Sequence, residues 1–270
     1  LESDYDSPEM LAYALVAQNL REPLANVMAS AQQLSNQAVS QDEYTRDKLA
    51  DIQQNLHRIL RMISNMSDSG KLVKPTFYQL KACDAVWVFD EMLEKAAALL
   101  AESGRKLEYS LPGVAVNTSL DSELLGRAVH NLISNAAKYS PAGTDIRAKL
   151  KHNGNRLVFT VENDLTPDGM QNCRNLFHKH LRQPGLESGK NGLGLGMSIV
   201  RNVAMAHGGT VLAELLDQSR MRITLTIAVR ETDDALLRSP IQLPVDYSGG
   251  FDHTILELSD VLSAHLYNQL

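Results

Sequence analysis

Gly192-Leu193-Gly194-Leu195-Gly196-Met197-Ser198-Ile199-Val200 is the stretch that decides how this chain reads. Glycine at every second position removes the Cβ, so the backbone can run close to a phosphate. Leu195, Ile199 and Val203, with small residues between, predict a helix that starts at the last glycines. The N-terminus of such a helix offers unpaired N–H groups and a partial positive charge, which suit phosphate oxygens. Alone, the G-x-G-x-G pattern also fits a flexible surface loop.

A second element, about sixty residues upstream, gives the glycines a partner: Asn131-Leu132-Ile133-Ser134-Asn135-Ala136-Ala137-Lys138-Tyr139. Asn131 and Asn135 are one helical turn apart and share a face. Leu125, Ala128, Val129, Leu132, Ile133 and Ala136 supply the opposite, buried face. Asparagine is a poor helix former, so two on one face ask for a reason. Their carbonyl oxygens are hard ligands that suit Mg²⁺ bridging phosphates. Lys138 lies within a turn of Asn135 and can meet a phosphate. The plain alternative is a solvated polar face.

Together the two stretches resemble the ATP-binding domain of sensor histidine kinases, a fold shared with gyrase and the heat-shock chaperone ATPases. Asn131–Tyr139 looks like the N box of that family, and Gly192–Gly196 like its second glycine box. Phe177, in Asn175-Leu176-Phe177-His178-Lys179, sits where the family has its lid phenylalanine. The resemblance covers roughly residues 8 to 230. It implies ATP as ligand, with Mg²⁺ carried through the nucleotide by Asn135 and Asn131. It further implies nucleotide contacts from Lys138, Tyr139, Phe177, Gly192, Gly194 and Gly196. The family's first glycine box, Asp-x-Gly-x-Gly, maps by strand parity onto Asn163, Leu165 and Pro167. The Asn163 carbonyl can still accept from an adenine amino group, without the charge of the aspartate.

The N-terminal seventy residues read as helix. Met10, Tyr13, Ala17, Leu20, Leu24, Val27, Ala31 and Leu34 step by threes and fours, as do Leu49, Ile52, Leu56, Ile59, Ile63 and Met66. Both are heptad seams. Ser35 to Asp42 is the polar turn between them, and Gly70 reads as a C-cap. Two such helices cannot bury both seams alone, which predicts a four-helix bundle made by a homodimer. A single-chain hairpin packed on the following domain is the alternative.

The remaining pattern predicts strands at 77–80, 106–111, 114–116, 146–151, 157–161, 210–215 and 220–229. Helices are predicted at 86–101, on the N box behind an Asp121 N-cap, and after the glycines. Residues 164–192 read as a long lid loop. The expected fold class is α+β: residues 1–70 a dimerisation hairpin, 71–230 an α/β sandwich with a mixed sheet, and 231–270 an extension of unknown role. Within that extension, residues 253–266 predict a short amphipathic helix docked on the domain. His57 reads as a surface histidine and His130 as a packed one.

Composition bounds the rest. An apolar content of 44% is ample for a core, and 5% aromatic fits helices packed on aliphatics. A net charge of −6 argues against nucleic acid as the main partner. No apolar run of membrane-spanning length and no signal peptide is visible, so no membrane contact is expected within this segment. The chain opens at Leu1, which reads as a fragment of something longer. Cys83 and Cys173 lack metal spacing and read as reduced thiols of a cytoplasmic protein, or of the cytoplasmic part of a longer, membrane-anchored sensor.

The resemblance also locates altered chemistry. Histidine kinases carry their phosphoacceptor in a run like His-Glu-Leu-Arg-Thr-Pro-Leu; the matching run here is Gln18-Asn19-Leu20-Arg21-Glu22-Pro23-Leu24. Gln18 falls at the acceptor position, and its amide nitrogen is not nucleophilic because the lone pair is delocalised. Asn19 replaces the acid that takes the proton, a role an amide cannot fill. Glu22 replaces the Thr or Asn that orients water, and its carboxylate would repel a phosphoryl group. The resemblance therefore implies a two-component kinase core with a response regulator as partner. The residues favour a nonphosphorylating, dimeric regulatory module as the alternative. A free-standing gyrase-like ATPase is disfavoured by the upstream bundle.

Overall fold

The computed structural model describes residues 8–37, 42–71, 78–167, 169–170, 195–217, 219–230 and 252–268. Two long helices open the chain, α1 (Pro8–Gln37) and α2 (Glu43–Lys71). Ala17, Leu24, Met28 and Ala31 on α1 pack against Leu56, Leu60 and Ile63 on α2. The seams are wider than one partner helix covers. Leu20, Val27 and Leu34 on α1, with Ile52 and Ile59 on α2, are exposed in the single chain although the heptads count them as core. Gly70 is not a C-cap, because α2 runs on to Lys71.

The strand expected at 77–80 is displaced. Phe77 lies outside the described residues, and β1 spans Lys81–Asp84. It pairs antiparallel with β3 (Asn117–Leu120), not with a strand at 114–116. The cause is Asp84. Its Oδ1 accepts from the backbone N–H of both Val86 and Val116, capping α3 (Ala85–Glu102) and holding Val116, so that β3 begins only at Asn117.

The main sheet has five strands in the order β2 (Lys106–Ser110), β4 (Asp145–Asn153), β5 (Arg156–Asp164), β7 (Arg220–Ala228), β6 (Val211–Leu216). β2 and β4 are parallel and the other pairs antiparallel, so the sheet is mixed as expected. Ile146, Ala148, Leu150, Leu157, Phe159, Val161, Ile223, Leu225 and Ile227 alternate onto one face. Against them pack α3, α4 (Ser122–Tyr139) and α5 (Leu195–Ala206).

Two local devices fix α4 and α5. The Asp121 side chain caps α4 through Leu124 N–H and also accepts from Gln79 N–H. His207, just past α5, accepts from Asp121 N–H at Nε2 and holds the Val203 carbonyl through Nδ1. Gly209 follows, where an added Cβ would stand 1.7 Å from the Thr226 carbonyl oxygen; only glycine lets these two backbones approach.

The chain closes with α6 (His253–Leu258) and a 3₁₀ turn, Ala264–Asn268. This segment joins the two cores. Leu256 enters the hairpin core, while Ile255, Leu258, Leu262, Leu266 and Tyr267 enter the main one. The hairpin packs on the following domain through α2, as the single-chain alternative expects, and leaves Leu20, Val27 and Leu34 of α1 exposed.

Candidate functional site

The glycine helix and the N box meet. Gly196, in the first turn of α5, lies so close to Asn131 that an added Cβ would stand 2.7 Å from its Oδ1. Phe177, Gly192 and Gly194 lie outside the described residues. Asn131 is buried, Asn135 half-buried at the edge of the face, and Lys138 half-buried above the Tyr139 ring, with Nζ 5.9 Å from its centroid. Burial, reinforced by Asp260, raises the Tyr139 hydroxyl pKa. The Tyr139 carbonyl accepts from Thr166 N–H at 2.9 Å, which ties the start of the lid segment to the end of α4.

Asn163 is buried near the end of β5, and its Nδ2 donates to the Asp164 carbonyl at 2.8 Å. Leu165, at the first of the two glycine positions, joins the hydrophobic core and donates its N–H to Ser219. A packed leucine replaces the open backbone that a glycine would leave. His130 is packed, as expected: burial, only partly offset by the Glu257 charge, pushes it down to about 4. Cys83 is a free thiol that burial pushes up to about 11.

On the hairpin, Gln18, Asn19 and Glu22 are all exposed on α1. His57 is a correction. It is buried, not a surface residue, and meets the Tyr267 ring edge-on at 4.9 Å between centroids. Its partner arrives from the far end of the chain, which no local pattern reveals. Burial, opposed by a bond to the Gln53 carbonyl, lowers its pKa.

The largest feature absent from the sequence reading is a buried polar cluster over the N box. Glu257 on α6 accepts from Arg127 Nε at 3.0 Å through Oε1. Its Oε2 accepts from Arg61 Nε at 3.1 Å and from Asn131 Nδ2 at 3.0 Å. Arg61 also donates to Asn131 Oδ1, Ser134 Oγ and Asp260 Oδ2. Asp260 lies 3.9 Å from Lys138 Nζ. Burial acts to raise the Glu257 pKa, but Arg127 and Arg61 outweigh it and hold the carboxylate below its ordinary value. Arg127, Asn131, Ser134 and Lys138 recur at helical spacing, so one stripe of α4 meets the C-terminal segment. On α2, Gln54, His57, Arg58 and Arg61 form the matching stripe; Gln54 and Arg58 donate to the Ser259 carbonyl. A signal existed in Ile255-Leu256-Glu257-Leu258, where a lone carboxylate interrupts an apolar run and needs a buried partner.

Among the described residues no group of histidine, cysteine or carboxylate side chains could hold a metal ion, and no helix is long and apolar enough to cross a membrane.

Residues 120–231 match the family described as histidine kinase-, DNA gyrase B- and HSP90-like ATPase. The chain is 30% identical over 202 residues to sensor histidine kinase CusS of Escherichia coli O6:H1, covering 73% of this chain and 41% of that protein. It is 24% identical over 201 residues to sensor protein KdpD of Clostridium acetobutylicum, covering 73% of this chain and 22% of the relative. The chain thus spans less than half the length of these relatives. In fold it is similar to full-length ShkA, solved in complex with AMPPNP, with a TM-score of 0.61, 18% identity, and coverage of 84% of this chain and 47% of that one.

Proposed function

We propose that the chain, similar in sequence and fold to sensor histidine kinase cores, binds Mg-ATP between α4 and α5 and accepts no phosphoryl group at residue 18. The observation that carries the first half is the close approach of Gly196 to Asn131, which brings the glycine helix against the N box. Asn135 and Asn131 would hold the metal through the nucleotide, Lys138 a phosphate, and Asn163 the adenine amino group; the family resemblance adds Tyr139, Phe177, Gly192 and Gly194 as expected contacts, the last three outside the described residues. The nucleotide supplies the transferable phosphoryl group, and Mg²⁺ its charge neutralisation.

The second half rests on chemistry at α1. Gln18 is exposed, as an acceptor must be, but offers a delocalised amide in place of imidazole. Asn19 cannot take a proton, and Glu22 sets a negative charge beside the attack line. This favours a regulatory module that binds nucleotide, dimerises and acts on a response regulator without phosphotransfer. The dimer reading draws on Leu20, Val27 and Leu34, one heptad apart and all exposed. Dimerisation through the hairpin covers them with a second copy. We assign the chain to the cytoplasmic side of a longer sensor, in keeping with its share of the relatives' length.

The test is a titration with Mg-ATP beside incubation with γ-labelled ATP. Binding without label on the protein is the expected result. No heat and no thermal shift at millimolar nucleotide overturns the first half; a stable phospho-species at residue 18 overturns the second.

A further inference from the structure

The C-terminal segment does more than complete the core, because two of its carboxylates, Glu257 and Asp260, sit on residues that the nucleotide reading needs. Asn131 is 1% exposed, its amide nitrogen on Glu257 and its carbonyl oxygen on Arg61. Lys138 faces Asp260. A magnesium-chelated triphosphate that recruits Asn131 and Lys138 has to take the Asn131 carbonyl oxygen from Arg61, which Glu257 and Asp260 hold in place, and Lys138 from Asp260. Glu257 and Asp260 would also stand beside its own negative charges and repel them. A docked tail and a bound nucleotide are therefore rival occupants of one face of α4.

We propose that residues 252–268 form an intramolecular clamp that competes with nucleotide for α4 and, while docked, fastens the hairpin to the ATPase domain. The proposal rests on the nucleotide reading above and adds its regulation. The second role follows from what else the segment holds. Arg61 of α2 bonds Glu257 and Asp260, Gln54 and Arg58 bond the Ser259 carbonyl, and Leu256 fills the hairpin core. On its other side, Asp252 caps α6 through Thr254 and Ile255 N–H and pairs with Lys95 of α3. Lifting the segment removes the two carboxylates that bridge α2 and α4 in one step and leaves the direct bonds of Arg61 to Asn131 and Ser134 and of Arg127 to Asn65. By linkage, whatever peels it away raises nucleotide affinity by the factor with which nucleotide favours its release.

The experiment is amide hydrogen exchange on the full chain with and without the non-hydrolysable probe Mg-AMPPNP, together with the affinity of that probe for the Glu257→Gln/Asp260→Asn double variant. The expected results are faster exchange across 254–262 when the probe binds, and binding about tenfold tighter in the variant. Should the variant fail to fold, seen as lost protection in β5 and β7, the exchange measurement on the unaltered chain decides alone. Probe binding with tail protection unchanged overturns the clamp and leaves the nucleotide reading standing. Absence of probe binding in both proteins overturns the nucleotide reading, and the clamp with it.

Discussion

Replacing Glu257 by glutamine should cost about 3 kcal/mol of stability, the lower end of what removing one partner of a buried ion pair costs. Three donors converge on this carboxylate: Arg127 Nε at 3.0 Å, Arg61 Nε at 3.1 Å and Asn131 Nδ2 at 3.0 Å. Glutamine keeps the shape but has one acceptor oxygen. Placed towards Arg127, its NH₂ meets Arg61 and Asn131 donor to donor; flipped, it meets Arg127. Either orientation leaves a guanidinium without its counter-charge, where the Arg127 and Arg61 side chains are only 3% and 8% exposed. Arg61 keeps Asp260 at 2.9 Å and Arg127 keeps Asn65 at 3.0 Å, which holds the cost to the lower end.

Urea unfolding followed by circular dichroism reads this cost. The expected record is a lower midpoint together with a smaller m-value, since a segment already undocked exposes less new surface on unfolding. A second substitution separates charge from packing. Glu257→Gln with Arg127→Met should recover part of the loss, with a coupling of about 1–3 kcal/mol. A loss under about 0.5 kcal/mol with an unchanged m-value would refute the argument, placing Glu257 among substitutions that touch nothing important.

Four further outcomes are expected of this fold. Burial holds His57, His130 and His207 neutral, so the folded chain binds fewer protons than the unfolded chain below the ordinary histidine value of 6.5; stability should be level above that pH and fall as pH drops towards about 4, which calorimetric scans between pH 7 and 5 will show or deny. The Glu257 pKa is lowered as well, which for an acid favours the charged form, so its contribution persists between pH 7 and 5 and is lost as pH falls below its ordinary value of 4.5. Gly209→Ala should cost about 3 kcal/mol or more, because the new Cβ meets backbone that cannot swing away, and a midpoint equal to the parent's would contradict that contact. If the proposed hairpin dimer forms, the parent chain sediments as a dimer and Val27→Glu as a monomer, with the monomer's own stability shifted by no more than about 0.5 kcal/mol; a monomeric parent overturns the dimer proposal, and a variant that stays dimeric removes Val27 from the interface.

The parts of this molecule that were legible in its sequence are those whose cause lies within a turn or a hairpin. Alternation marked β5 and β7, and the Asp121 cap with its apolar face marked α4. The strand ends were misjudged where a side chain competes with the ladder, as Asp84 does for the N–H groups of Val86 and Val116. Heptad counting found both seams but could not say which positions face the partner helix and which are left open, because a stripe of threes and fours is wider than one helix-to-helix contact. The cluster over the N box was illegible for a different reason. Arg61, Arg127 and Glu257 come from three distant elements, and each alone looks like a solvated charge. Burying one costs more than any single partner returns, so only the complete set is stable. The same long-range closure turned His57 from an expected surface residue into a core one beneath Tyr267. An acidic residue within an apolar run at the end of a chain is thus a sign that its counter-charges lie elsewhere in the fold. Here one of them, Arg127, lies on the helix that the nucleotide reading also claims, and the other, Arg61, reaches from α2 to Asn131 on that helix, which is why the proposed clamp sets the tail against the ligand.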